Sequence, residues 1–483
     1  MGQAFKIFKR ILLTTFVMGA FYSKASEKCD CQANILMTIS KVEENYAGFP
    51  DKVAQPRNVG YNALKERLIS NSALITDPAS CFELLKEYVN FFYDKHFRIE
   101  YSAMPASLVV PIDGKMIEEL LNGQNENSIE GIWIDPHGSK IAIMENGKDT
   151  FWGVKVASTT DQYPQGFVYF TLARQGNTYS ASLYNRKLNI DIPAKKVGNF
   201  VKIWNMQLWI RENALLTTLE SEEVKSWKEN SNGLMFKKIN HDFNYLKIPT
   251  FENNDREIGS LIALNDSTIR TTPYLLIDLR GNGGGGSGWT SLIPYIATDQ
   301  IDQGGSYLRV SKENSSRKIA DLESYVNSPI PPELKKYFPK ETMDAYRRTY
   351  NELPLSNDQF LYIPSVNFPR DTILALPKKV AVVFDGLSGS STEFFIYLTR
   401  QSEKVVTYGQ NSLGMMDYVG MSIPTDLPYQ GFKLYIPPEK SSWTDKNPID
   451  RTGFSPEFPI KEKEELWIDF ILQDLPKRSF SLE

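Results

Sequence analysis

The sequence predicts a mixed α/β chain of several domains: an N-terminal helical bundle, an inserted small β-barrel or sandwich, and an α/β core. Three observations carry this. From Ala33 to about Ile99 apolar residues recur every three or four positions; from Ile129 to about Trp209 they fall in short alternating runs; from about Phe236 buried-strand runs alternate with helical stretches. At 483 residues the chain exceeds what one core usually holds. The expected boundaries are 1–25 for a leader, 26–115 for the bundle, 125–215 for the β domain and 235–475 for the core, with a helical insertion at about 310–365.

The leader is read from Lys6, Lys9 and Arg10, which precede an apolar stretch from Ile11 to Tyr22 and then Ser23-Lys24-Ala25. Basic residues, a short apolar stretch and small residues at the −3 and −1 positions describe a cleaved signal peptide. The stretch is short for a membrane span. The mature protein is therefore expected to be exported, periplasmic or extracellular, with no integral membrane segment. An oxidising compartment permits a disulfide from Cys81 to Cys29 or Cys31, and the sequence does not choose between them. No further cysteine or nearby histidine completes a metal site.

In the bundle, Phe82, Leu84, Leu85, Tyr88, Val89, Phe92 and Tyr93 follow the spacing of one buried helix face. In the β domain, runs such as Gly131-Ile132-Trp133-Ile134 and Phe167-Val168-Tyr169-Phe170 alternate with turn signals such as Asp135-Pro136-His137-Gly138. In the core, Asn244 to Ile248 and Tyr274 to Leu279 read as strands around a helix near Ile258 to Leu264, and Val380 opens another α/β unit. The charged stretch from Glu313 to Asn351 reads as a helical excursion, either a lid or surface.

Composition is that of a globular protein, with 41% hydrophobic and 23% charged residues and a net charge of −4. No Lys/Arg block follows the leader, which disfavours nucleic acid as a partner. The informative segments are two strand ends. Tyr274 to Asp278 runs into Leu-Arg-Gly-Asn-Gly-Gly-Gly-Gly286, and Val380 to Phe384 runs into Asp-Gly-Leu-Ser-Gly-Ser-Ser-Thr-Glu393. The first offers a row of backbone N–H groups and the second a cluster of hydroxyls, the two parts that acyl transfer to serine requires. The glycines alone could be a structural turn. The Lys-Ser/Thr of a P-loop is missing after them.

Asp278-Leu-Arg-Gly-Asn-Gly-Gly-Gly285 followed by Ser388-Gly-Ser-Ser-Thr-Glu393 resembles the serine peptidases related to the tricorn core and the C-terminal-processing (tail-specific) proteases. The resemblance covers roughly Phe236 to Ile460 well and the bundle loosely. It implies a crotonase-like α/β core, with Ser390 as nucleophile three residues before Glu393. The alternative is that Ser388, Ser390 and Ser391 only cap the following helix. The processing branch uses a lysine base about 25 residues after the serine. Ser412-Leu-Gly-Met-Met-Asp-Tyr418 stands there, and the thioether of Met415 cannot accept the proton. The tricorn-like branch uses a histidine and a late acidic residue. Of the three histidines, His137 reads as a turn residue and His241 as a surface one. His96, in Tyr93-Asp-Lys-His-Phe-Arg-Ile-Glu100, resembles the family's D-x-H segment and is the expected base.

Ile449-Asp-Arg-Thr-Gly-Phe-Ser-Pro-Glu-Phe458 resembles the family's late acidic stretch, which points to Asp450 as the acid orienting His96 and leaves Glu457 structural. The resemblance further implies an oxyanion hole from the backbone N–H of Gly284 or its neighbours Gly283 and Gly285, with that of Ser391. Asp278, Arg280 and Asn282 are expected to shape that loop through side-chain hydrogen bonds. The partner is a peptide or protein substrate, and no metal or organic cofactor is expected. Two departures stand out. The processing proteases usually carry a PDZ domain where this chain has a β-meander with a faint likeness to a lipocalin-type barrel, and the lysine is absent. They motivate an alternative, a catalytically inactive family member that binds peptides, glycans or apolar ligands.

Overall fold

The computed structural model describes residues 28–478, apart from 124, 126, 159–161, 188, 230–231, 369–372 and 422. The expected leader and its cleavage site lie outside the described residues. Among the described residues four helices come first: α1 (Cys31–Asn45), α2 (Phe49–Lys52), α3 (Arg57–Ser72) and α4 (Pro78–Asn90). Asp30 and Asp77 cap α1 and α4 by accepting from the N–H groups of Ala33 and Ser80. A disulfide joins Cys31 to Cys81 and ties α1 to α4, while Cys29 is a buried free thiol. After α4 the chain enters strand β1 (Arg98–Tyr101) and then helix α5 (Gly114–Asn122).

Eight strands then close into an antiparallel barrel: β2 (Gly131–Ile134), β3 (Lys140–Gly147), β4 (Thr150–Ala157), β5 (Val168–Gln175), β6 (Thr178–Leu183), β7 (Ile192–Val197), β8 (Phe200–Ile203) and β9 (Gln207–Arg211). Closure by β2 against β9 removes the free edges that a sandwich would leave. The barrel carries a buried apolar cluster that includes Trp133, Phe167, Phe170 and Val201. Helix α6 (Thr218–Lys228) leads out of it.

The core sheet has the order β10-β11-β12-β15-β16-β21. Its strands are β10 (Met235–Lys238), β11 (Phe243–Lys247), β12 (Tyr274–Asp278), β15 (Lys379–Phe384), β16 (Val405–Gly409) and β21 (Phe458–Pro459). All pair in parallel except β10 with β11. Helices α7 (Asp255–Arg270) and α8 (Ile293–Ile296) belong to this unit. Asp278 of β12 stands opposite Val383 of β15. The glycine loop and the serine loop therefore leave the sheet side by side at the C-terminal ends of adjacent parallel strands, where α/β sheets place their sites.

The insertion contains β13 (Ser306–Arg309), α9 (Lys312–Val326), α10 (Lys340–Glu352) and β14 (Phe360–Ile363). Helix α11 (Ser391–Thr399) follows the serine loop, and β17 (Tyr418–Val419), β18 (Thr425–Asp426), β19 (Phe432–Tyr435), β20 (Glu439–Ser441) and finally α12 (Trp467–Asp474) complete the fold. Two small sheets, ordered β14-β13-β20-β17 and β1-β19-β18, join these parts. The second sheet merges the bundle with the core: Phe432, Leu434 and Ile436 share one buried cluster with Leu85, Tyr88 and Phe92. Neither small sheet was legible in the sequence, because two- to four-residue strands are too short to show a period. Among the described residues no helix is long and apolar enough to cross a membrane.

Candidate active site

Strand β15 ends at Phe384, and the chain turns sharply through Gly389 and Ser390 into α11. Ser390 sits at φ +53° and ψ −127°, a strained backbone for a residue with a side chain. Such a strand-to-helix elbow exposes the serine oxygen. Glu393 holds the elbow from behind. It accepts from the N–H of Ser390 at 3.2 Å, and also from Ser412 Oγ at 2.5 Å and the N–H groups of Gly414 and Met415 at 2.6 and 2.8 Å. Burial pushes this carboxyl up to about 7 against the lowering effect of those hydrogen bonds.

His96 arrives from the turn between α4 and β1. Asp94 shapes that turn by accepting from the N–H groups of His96 and Phe97 at 2.8 and 3.3 Å, while Tyr46 donates to its other oxygen at 2.7 Å. The result is a hydrogen bond of 2.9 Å between His96 Nε2 and Ser390 Oγ, across 294 residues of sequence. His96 Nδ1 lies 2.8 Å from the backbone oxygen of Tyr418. A carbonyl can only accept, so Nδ1 carries the proton, and the lone pair of Nε2 faces the serine hydroxyl. Burial pushes the imidazole down to about 4, a shift the Tyr418 carbonyl only partly offsets and the charges of Arg98 and Lys95 reinforce. The other two histidines lie elsewhere: His137 is in an exposed turn closed on Asp135, and His241 is exposed beside Asp242. The amines of Lys404 and Lys433, alternative bases by residue type, are engaged at the Leu374 carbonyl and at Asp426.

Asp450 does not meet the imidazole. Its carboxylate accepts from Lys52 of α2, and its N–H donates to Asp417 Oδ2 at 2.8 Å. The acceptor on Nδ1 is the Tyr418 carbonyl, which takes the place expected for Asp450. The physical reason is the loop from Ser412 to Tyr418, which passes beside His96 and presents backbone where the acid was expected. Burial pushes Asp417 up to about 6, and it also raises Asp450 and Asp94, which share the field of Lys52. Glu457 accepts from the N–H of Thr407 at 2.9 Å, between strands of the core.

The glycine loop is braced by its own side chains. Asp278 and Arg280 form a buried pair, at 2.9 Å from Nε and 2.6 Å from a terminal nitrogen, and Tyr245 donates to Asp278 at 2.7 Å. Asn282 donates to the Ile248 carbonyl at 3.0 Å and accepts from the N–H of Gly284 at 2.9 Å. The N–H of Gly284 is thus committed within the loop. Gly284 instead serves closeness: at φ +95°, a Cβ there would stand 2.7 Å from Ser390 Cβ and Ser391 N. Gly285 takes a hydrogen bond from Ser391 Oγ at its carbonyl, 3.0 Å.

The barrel also reaches the site, which the sequence did not signal. Trp204, in the turn between β8 and β9, donates to the Leu387 carbonyl at 3.1 Å, and its indole covers Gly283 so closely that a Cβ would fall 1.9 Å from the ring. Lys195 of β7 pairs with Asp385, just after β15, and with Glu464 at 2.6 Å. Burial alone would raise Asp385, and the Lys195 charge reverses this and lowers it.

Residues 242–460 match the family model described as Peptidase family S41. The core of this chain is a peptidase family S41 domain. Among solved structures, the chain is similar in fold to mature CPAF, with 10% identity and a TM-score of 0.53 over 93% of this chain and 96% of that one. Mature CPAF complexed with lactacystin matches with 10% identity and a TM-score of 0.54 over 93% and 97%. At that identity the likeness is one of fold. No curated protein sequence matches the chain.

Proposed function

We propose that this S41 protein is an exported serine peptidase in which Ser390 is the nucleophile and His96 the base. The observation that carries the reading is the hydrogen bond of 2.9 Å from Ser390 Oγ to the unprotonated Nε2 of a histidine whose Nδ1–H is fixed by the Tyr418 carbonyl. Ser390 Oγ attacks the peptide carbonyl as its proton passes to His96 Nε2, and His96 returns that proton to the leaving amine. Water then hydrolyses the acyl-enzyme by the same proton transfers. The oxyanion is stabilised by the N–H of Ser391, at the start of α11, and by a glycine-loop N–H at Gly283 or Gly285. A histidine base, with Met415 at the lysine position, favours the tricorn-like branch. Export is supported by the leader-like composition of residues 1–25 and by the Cys31–Cys81 disulfide.

The test uses a fluorophosphonate probe and a peptide library on the full mature chain. Labelling and hydrolysis are expected for the native protein. Ser390→Ala should abolish both, and His96→Ala should slow both by about 10⁴ or more. Labelling that survives Ser390→Ala removes the nucleophile assignment; a native protein that neither labels nor cleaves returns the inactive, ligand-binding alternative.

A further inference from the structure

A cavity of about 620 Å³ lies between helices α9 and α10 of the insertion, the sheet containing β13 and β20, and the first turns of α11. This is the size of a ligand site, and it is larger than a gap in packing. Its floor grows out of helix α11, which follows Ser390, and out of the segment whose Tyr418 carbonyl holds His96. Phe394 is one helical turn beyond Ser390 on the same face of α11. Met416 follows Met415, whose sulfur lies against Gly389, and Val419 follows Tyr418, whose carbonyl holds His96. Trp443 and, from α9, Tyr325 complete an aromatic wall. The charges on its wall are those of Glu439, which is paired with Lys318 at 2.5 Å and accepts from Ser306 Oγ, and of Asp321, 3.9 Å from the same lysine. Beside these charges the cavity offers rings and aliphatic surface on which an apolar side chain can pack.

Building on the peptidase reading above, we propose that this cavity is a substrate subsite that takes an aromatic side chain close to the scissile bond. The insertion then supplies sequence preference, and helix α9 forms the outer wall of the subsite.

The experiment measures binding on a full-length Ser390→Ala background, so that no turnover is required. Fluorescent peptides carry Phe, Tyr or Trp, Ala, or Lys at each position in turn. An aromatic residue at one position should tighten Kd about tenfold or more over Ala and Lys. Ala320→Trp, on the exposed side of α9 at the cavity, should erase that gain and leave the Ala peptides unchanged. Tyr325→Ala should reduce the gain independently. No aromatic gain at any position, a gain for Lys instead, or a gain that survives both substitutions overturns the proposal. Fluorophosphonate labelling of the native protein reports separately on the serine chemistry: an aromatic preference without labelling upholds the subsite and removes the peptidase, and labelling without a preference does the reverse.

Discussion

The chemistry of the site depends on how one imidazole is held. A free histidine titrates near 6.5, and burial brings His96 to about 4. The proposed base is therefore neutral, as proton acceptance requires, above about pH 4. The acid limb of the labelling rate should fall near that value, well below 6.5; a limb at 6.5 would show that the imidazole is solvated in the working enzyme. The same shift has a stability sign. Its folded value lies below its unfolded one, so between about 6.5 and 4 the unfolded chain binds more protons, and this group's contribution to stability falls as pH drops through that window. Asp417, raised to about 6, works the other way: its folded form holds a proton that the unfolded form has lost, and its contribution falls as pH rises from about 4 to about 6. A third expectation concerns Asp450. An acid that fixes the tautomer of a catalytic histidine costs about 10⁴ in kcat when changed to the amide. Because Tyr418 supplies that acceptor here, Asp450→Asn should lower kcat less than about tenfold; a loss of about 10⁴ would assign Asp450 the orienting role after all.

Between elements, the contact that decides most is the one between the barrel turn and the glycine loop. Gly283 has no left-handed backbone requirement, and the nearest obstacle to a side chain there is the indole of Trp204. Gly283→Ala should therefore cut kcat/KM sharply, and adding Trp204→Ala should recover much of the loss, a coupling that a double-mutant cycle reads directly. Independent effects of the two changes would mean that the barrel does not set the loop. Gly284 has no such remedy, since its Cβ would meet the backbone of Gly389 and Ser391. The two loops were legible in the sequence because their demands are local: glycines where backbones approach, hydroxyls at a helix start, apolar strands before both. The Tyr418 carbonyl was not, since every residue carries one and only the path of the loop aims it. Trp204 was equally silent, one tryptophan among eight.

At the scale of the whole molecule, bundle and core fold as one unit, on which the proposed site depends. Strand β1 pairs along its length with β19, and the bundle helices share their apolar cluster with β19 and with Tyr418 of β17. A chain beginning near residue 230 would expose Phe432 and Leu434 and lack His96, so it should be inactive and poorly folded by circular dichroism and by labelling. Full activity from it would refute the shared site. Lys52 gives a finer test of the same junction. Lys52→Met leaves Asp450 buried without its counter-charge and should destabilise the protein by about 3–5 kcal/mol in denaturant unfolding, with the Asp450→Asn change partly compensating.

The sequence by itself determined the α/β core, its strands at Asn244–Ile248, Tyr274–Leu279 and Val380–Phe384, the turn at Ser390 and the glycine loop. Each follows from periodicity or from residue types whose backbone preferences act over a few positions. It also narrowed the proposed base to one of three histidines by the local likeness of Asp94-Lys95-His96. The tertiary structure decided the closure of the barrel, the Cys31 partner of Cys81, the Tyr418 carbonyl in place of Asp450, and the reach of Trp204 onto Gly283. These are contacts between segments far apart in the chain, and no local preference encodes which of many acceptors or rings will arrive when the domains pack.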